Sequence, residues 1–217
     1  MVRVNAAGVT PDYWDEACRH LVKRDRVLKK LIPQWGEARL QSRADAFTTL
    51  ARSIIGQQIS AKSAQASWEK FVSLLPGNAA KIQPAALLAQ PTESLRGAGL
   101  SARKIEYLRD LAQHFEDGQV HVKQWTQMDD EAIIDELVAI RGIGRWTAEM
   151  FLIFHLTRPN VLPLDDPRLI KGISDLYFSG EPVSRAEARE LGDAWAPYRS
   201  VATWYIWRSL DPAPVQP

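Results

Sequence analysis

Residues 137–168 read LVAIRGIGRWTAEMFLIFHLTRPNVLPLDDPR. The stretch divides into a helix, a tight hairpin at Ile140-Arg141-Gly142-Ile143-Gly144, a second apolar helix, a proline-bearing loop and two adjacent aspartates that open a third helix. Two glycines, lacking a Cβ, permit a sharp reversal and close approach of the backbone to a partner. Arg145 to Leu156 contains neither Gly nor Pro and is apolar on most faces, so it reads as helical. The amides of Gly142, Ile143, Gly144 and Arg145 then point outward at a helix N-terminus, an anion site into which a phosphate fits. Gly-x-Gly alone is a weak motif, and the same turn would serve as an ordinary C-cap between packed helices.

Working outward, the rest of the chain is also helical in pattern. Asp12 to Ile32 carries Trp14, Ala17, Leu21, Val27, Leu28 and Leu31 at mostly helical spacing, with Pro11 at its first turn, and predicts one helix ending before Pro33. Ser42 or Asp45 caps a helix bearing Phe47, Leu50, Ile54 and Ile55, which stops at Gly56. The polar turn Gly56-Gln57-Gln58-Ile59-Ser60 follows, and Ser60 caps a helix through Trp68 and Phe71 toward Pro76. Pro84–Gln90 and Thr92–Gly97 read as short helices, and Ser101 caps a longer one. Arg103 and Lys104 lie in its first turn, where cations oppose the helix dipole, so a nearby phosphate would explain them; a solvated surface pair would too. Asp129 or Asp130 opens the helix that enters the hairpin, and Leu169–Tyr177, Ala186–Trp195 and Tyr198–Leu210 complete the chain. With no repeat and no sustained strand alternation, the fold class is all-α.

Composition narrows the chemistry. The chain has 217 residues, enough for one large domain or two small lobes, and a net charge of +1, which neither demands nor excludes nucleic acid. One cysteine, Cys18, excludes an intrachain disulfide framework and any four-cysteine cluster. No apolar run reaches bilayer length and no signal-peptide pattern opens the chain, so a cytoplasmic location without membrane attachment is expected. His20, His114, His121 and His155 show no metal-ligand spacing, and no GxSxG, P-loop or dinucleotide fingerprint occurs. Elimination leaves carboxylates. Asp165 and Asp166 precede Pro167, a pattern that a plain N-cap also produces.

RGIGRWTAEM followed by LPLDDPRL resembles the helix-hairpin-helix DNA glycosylase superfamily, in particular its 3-methyladenine DNA glycosylase II branch. The resemblance runs from about Ala44 to Leu210. It implies a two-lobed helical fold with a DNA-binding cleft, and a single unit over 1–217 with lobes of 45–155 and of 1–44 plus 156–217. The compact form lacks the N-terminal sheet domain of larger members. It implies base-excision repair: hydrolysis of the N-glycosidic bond of alkylated purines, 3-methyladenine and 7-methylguanine, flipped out of duplex DNA. The catalytic carboxylate is then Asp166, the second of the pair, with Asp165 a neighbour of unassigned role.

The resemblance also assigns a base pocket to Trp146 and Trp207, with Met150 where a relative has an aromatic residue one helical turn on. The wedge that fills the gap left by the extruded nucleotide matches Gln58, with Gln57 the other candidate. DNA backbone contacts fall to the hairpin at Gly142, Ile143, Gly144 and Arg145, and to Arg103 and Lys104 of the GLS-x-x-K turn. Bifunctional members carry a lysine at the place of Trp146, so a monofunctional enzyme without lyase activity is expected. No cofactor is required and no iron–sulfur cluster is expected. A sodium or potassium ion at the carbonyls of Val138, Ile140 and Ile143 is a family feature. The expected partners are damaged double-stranded DNA and the enzymes that process abasic sites, the protein itself being a monomer. The loop Arg158 to Asp166 departs from the pattern in having prolines but no glycine. A glycosylase for deaminated bases (hypoxanthine, uracil), a non-catalytic helix-hairpin-helix module in which the aspartates only cap a helix, and a helical protein-interaction domain are the competing readings.

Overall fold

A computed structural model describes residues 10–42, 45–76 and 81–210. Ala44, where the resemblance begins, lies outside the described residues. Twelve α-helices occur among them, with no extended strand. They are α1 (Trp14–Arg24), α2 (Arg26–Leu31), α3 (Ala46–Gly56), α4 (Ala61–Ser73), α5 (Pro84–Leu88), α6 (Thr92–Gly97), α7 (Ala102–Glu116), α8 (Asp130–Val138), α9 (Arg145–Phe154), α10 (Pro167–Tyr177), α11 (Arg185–Asp193) and α12 (Arg199–Leu210). No helix among the described residues is long and apolar enough to cross a membrane.

The chain forms two compact units, one of residues 43–151 and one of 1–42 with 152–217. The division falls inside α9. In the first unit α7 packs on α3 and α5, and α3 on α4, around Phe47, Leu50, Ile54, Phe71, Leu87, Leu108 and Leu111. In the second, α12 packs on α10 and α1 around Trp14, Leu21, Leu169, Ile173, Val201, Tyr205 and Ile206. Positions 200–207 of α12 are all buried, so this helix is the spine of its unit. Such an all-round apolar helix is the expected signature of a fully enclosed one.

The caps explain most boundaries. Asp45, rather than Ser42, accepts from the Thr48 amide; the Ser42 hydroxyl instead donates to the His155 carbonyl. Ser60, Ser101 and Asp166 cap α4, α7 and α10 through the N3 amide. Asp129 occupies the N-cap position of α8. The single helix expected over Asp12–Ile32 is two. Asp25 leaves the helical conformation, and its carboxylate accepts from the Val27 and Leu28 amides, starting α2 afresh. The chain then tightens into a 3-10 turn over Ile32–Trp35, with Pro33 inside it. The apolar helix after the hairpin ends at Phe154, two residues earlier than its composition suggests.

One packing constraint is testable. A Cβ on Gly172 would lie 2.3 Å from Ile206 Cγ2, so α10 and α12 approach this closely only without a side chain there. Gly172→Ala is expected to destabilise by about 1–3 kcal/mol. Gly97→Ala, with nothing within 4 Å, should cost nothing. Urea unfolding midpoints check both.

Candidate active site

In the second unit Ser200 pins the start of the loop from Arg158 to Asp166. Ser200 of α12 donates its amide to the Pro159 carbonyl (3.0 Å) and its hydroxyl to the Arg158 carbonyl (2.6 Å), and its Oγ accepts from the Val161 amide (2.9 Å). Leu162 packs into the space left by Gly192, and the Asp166 amide donates to the Pro163 carbonyl. The loop thus reaches Asp166 along a pinned path without needing glycine.

Asp166 is 4% exposed. Its Oδ1 accepts from the Leu169 amide at 2.7 Å and from the Trp207 indole Nε1 at 2.9 Å. A carboxylate held this way has one orientation, and burial without such partners would cost several kcal/mol. Trp207 is 3% exposed and stacks on Phe154, centroids 5.6 Å apart and 13° between planes. Its indole N–H therefore holds Asp166 in place. Asp165 points elsewhere, exposed and ion-paired with Arg185. Near the pair, a shallow apolar hollow is lined by Leu164, Pro167, Ile170 and Val183.

In the first unit the hairpin is clamped onto α7. Gly142 adopts φ +86° over the Tyr107 ring, where a Cβ would lie 2.2 Å from Cδ2. Arg141 donates its amide (2.8 Å) and its guanidinium to Asp110, and also pairs with Glu106. Burial alone would raise the Asp110 pKa, but these bonds from Arg141 hold it below its ordinary value. Gln57 donates its side-chain amide to the Gly142 carbonyl at 2.8 Å. Lys104 donates its ammonium to the Ile55 carbonyl at 2.6 Å, in the last turn of α3, and burial lowers its pKa. The turn of residues 56–60 is therefore tied to the hairpin and to α7 at its base, while Gln58 stands exposed with φ +57°. A hollow of about 340 Å³ gathers Gln57, Gln58, Ser101, Arg103, Lys104 and the hairpin residues Gly142 to Gly144.

Two expectations about the hairpin need correction. Of the four hairpin amides, that of Ile143 is not turned outward, since it donates to the Ile140 carbonyl at 3.1 Å and its side chain is buried. The Arg145 guanidinium is engaged by both Glu131 and Glu149. Only Gly142 uses a positive φ, while Gly144 has open space where its Cβ would be. Lys104 has an intramolecular reason to sit in the first turn of α7, since a cation suits the C-terminal end of α3. Arg103 is exposed beside the hollow. Trp146 is 44% exposed, and Met150 lies one turn further along α9, half-buried. Sequence reasoning missed Ser200, Phe154 and Tyr107. A serine inside a fully buried helix was the available signal for the first, because a buried hydroxyl needs partners.

Comparison with known proteins gives this geometry its context. Residues 51–197 match the family described as HhH-GPD superfamily base excision DNA repair protein. The chain belongs to the HhH-GPD superfamily. It is similar to DNA-3-methyladenine glycosylase 1 of Schizosaccharomyces pombe, 31% identical over 195 residues that cover 88% of this chain and 85% of the relative. Among solved structures it is similar to DNA-3-methyladenine glycosidase from Bacillus halodurans, with a TM-score of 0.84 and 37% identity over 90% of this chain and 89% of that one. It is also similar to the Schizosaccharomyces pombe 3-methyladenine DNA glycosylase Mag1 in complex with abasic DNA, with a TM-score of 0.77 and 30% identity over 89% of this chain and 96% of that one.

The two glycines of the HhH-GPD hairpin separate experimentally. Gly142→Ala combines a strained φ with a clash against Tyr107, so a loss of about 2–4 kcal/mol is expected. Gly144→Ala should leave stability within about 0.5 kcal/mol of the parent, yet weaken DNA binding, because a methyl there blocks a phosphate from the amides. Thermal melts beside DNA titrations check this; equal stability losses in both variants would contradict it.

Proposed function

We propose that this protein is a monofunctional DNA glycosylase that hydrolyses the N-glycosidic bond of 3-methyladenine and 7-methylguanine in duplex DNA and leaves an abasic site. The observation that carries the reading is Asp166, a buried carboxylate held by a helix N-terminus and an indole N–H, in a chain whose relatives are named 3-methyladenine glycosylases.

The chemistry suits a single fixed carboxylate. As the bond from C1′ to the base nitrogen breaks, its electron pair leaves with the base and positive charge develops on the sugar. An anion in a water-poor site stabilises that charge. Alkylation has already made the purine cationic, so the departing electron pair neutralises it and no proton need be delivered. Water then bonds to C1′ and gives up a proton to Asp166, which orients it.

The remaining residues take roles consistent with their placement. Gln58, exposed at the tip of its turn, is the wedge entering the duplex when the nucleotide is extruded, and Gln57 braces it through Gly142. Trp146 offers an exposed aromatic face to a cationic purine, a contact of about 0.5–2 kcal/mol, with Met150 beside it. Trp146 lacks an amine, so no Schiff base forms there and the strand stays intact. The outward amides of Gly142 and Gly144, with Arg103, bind backbone phosphates.

The carbonyls of Val138, Ile140 and Ile143 offer neutral oxygen donors that suit sodium or potassium. Val138 ends α8, where carbonyls lack helical donors, although the Ile140 carbonyl already accepts the Ile143 amide. A cation there would add positive charge toward a phosphate. The protein acts as a monomer in the cytoplasm without other cofactors, and hands its abasic product to enzymes that process such sites.

Methylated duplex DNA tests the proposal. Wild type is expected to release free 3-methyladenine and 7-methylguanine without nicking the strand. Asp166→Asn should lose about 10²–10³-fold in rate while still binding DNA. Release by both proteins alike would remove Asp166 from the chemistry. DNA binding without release would favour a different lesion or a binding module.

A further inference from the structure

The corner between α1 and α2 concentrates positive charge that base excision at Asp166 does not use. Lys23, Arg24, Arg26, Lys29 and Lys30 fall within eight residues, all exposed, with Asp25 the one acid among them. In a chain whose 27 basic and 26 acidic residues nearly cancel, this is a strong local asymmetry. No ion pair joins any of the five cations to an acid among the described residues.

Asp25 does not face them. Its Oδ1 caps α2, and its Oδ2 accepts from the Tyr177 hydroxyl at 2.8 Å and the Trp195 indole at 2.9 Å, so its oxygens are turned into the core. The corner is rigid as well, because the Asp25 amide donates to the Leu21 carbonyl and its carbonyl accepts from the Lys29 amide. Helix dipoles account for Lys23, Arg24, Lys29 and Lys30, which lie in last turns. They do not account for Arg26. It opens α2, where a cation opposes the dipole, and it stands one turn from Lys30, where like charges repel.

We infer that this corner is a second contact for duplex DNA, binding the sugar–phosphate backbone without regard to sequence or damage. The choice of DNA among polyanions rests on the glycosylase reading. A duplex presents about one charge per 1.7 Å of its axis, and cations carried on a fixed backbone corner meet it without reordering of the main chain. Such a contact adds affinity that falls steeply with salt and serves the search rather than the chemistry.

The test titrates the full chain with undamaged duplex DNA at several salt concentrations. The variants are Lys23→Gln/Arg26→Gln/Lys29→Gln/Lys30→Gln and the charge-keeping Lys23→Arg/Lys29→Arg/Lys30→Arg. The neutralised variant is expected to bind more weakly, with the slope of log K against log salt reduced by about 0.9 for each phosphate it no longer neutralises, about 2–4 in all. The charge-keeping variant should match wild type, and single-turnover base release at saturating enzyme should be unchanged in both. Should the fourfold change perturb folding, Arg26→Gln alone carries the test with a slope reduction of about 0.9. Identical slopes in wild type and neutralised protein would overturn the inference. So would charge-dependent retention on phosphatidylserine vesicles with no change in DNA binding. Failure of the wild type to release methylated bases would instead overturn the glycosylase reading, and is scored separately.

Discussion

The pair of hydrogen bonds that converge on Asp166 Oδ1 is the constraint that the second unit is built to satisfy. One comes from the start of α10, local in sequence, and the other from an indole 41 residues away on α12. A hydrogen bond to a charged group is worth about 1.5–3 kcal/mol, so two of them offset much of the cost of keeping the carboxylate out of water. The second depends on the registry of α10 against α12, which Gly172 makes possible by letting Ile206 approach. Ser200 then fixes the incoming loop to the same helix. Position and burial of the anion are thus consequences of how one buried helix packs.

The first unit solves a different problem, the presentation of backbone rather than of charge. Gly142 lies flat on Tyr107, Arg141 is locked to Asp110 and Glu106, and Arg145 is engaged by Glu131 and Glu149. The two hairpin arginines are thus largely spent on holding the turn still. What is left outward is the open face of Gly144 at the start of α9, where helix dipoles suit an anion. The turn of residues 56–60 is braced from the same platform by Gln57 and Lys104, so Gln58 at its tip is carried on a fixed base.

Local signals in the sequence were legible because the interactions behind them are local. The caps at Asp45, Ser60, Ser101 and Asp166 each bond an amide three residues on, and helix placement followed from them. Asp25 broke a helix whose apolar spacing continued through it, because its carboxylate found partners in Tyr177 and Trp195 that no local pattern displays. The same limit applies to charge. Lys104 reads as a cation available to phosphate, and only the fold shows the carbonyl of Ile55 that engages it. What separates Gln57 from Gln58 is likewise a bond to a carbonyl 85 residues away, which only the fold displays.

The most direct measurement is single-turnover release of 7-methylguanine from methylated duplex DNA by Trp207→Phe, which keeps a ring against Phe154 but removes the N–H that holds Asp166. A carboxylate that has lost one of its two anchors on Oδ1 should excise about 10-fold or more slowly, in line with a charged hydrogen bond of about 1.5–3 kcal/mol, with DNA affinity little changed and the melting temperature lowered by the loss of the same bond. An unchanged rate would contradict the idea that the reaction depends on this carboxylate being held in place.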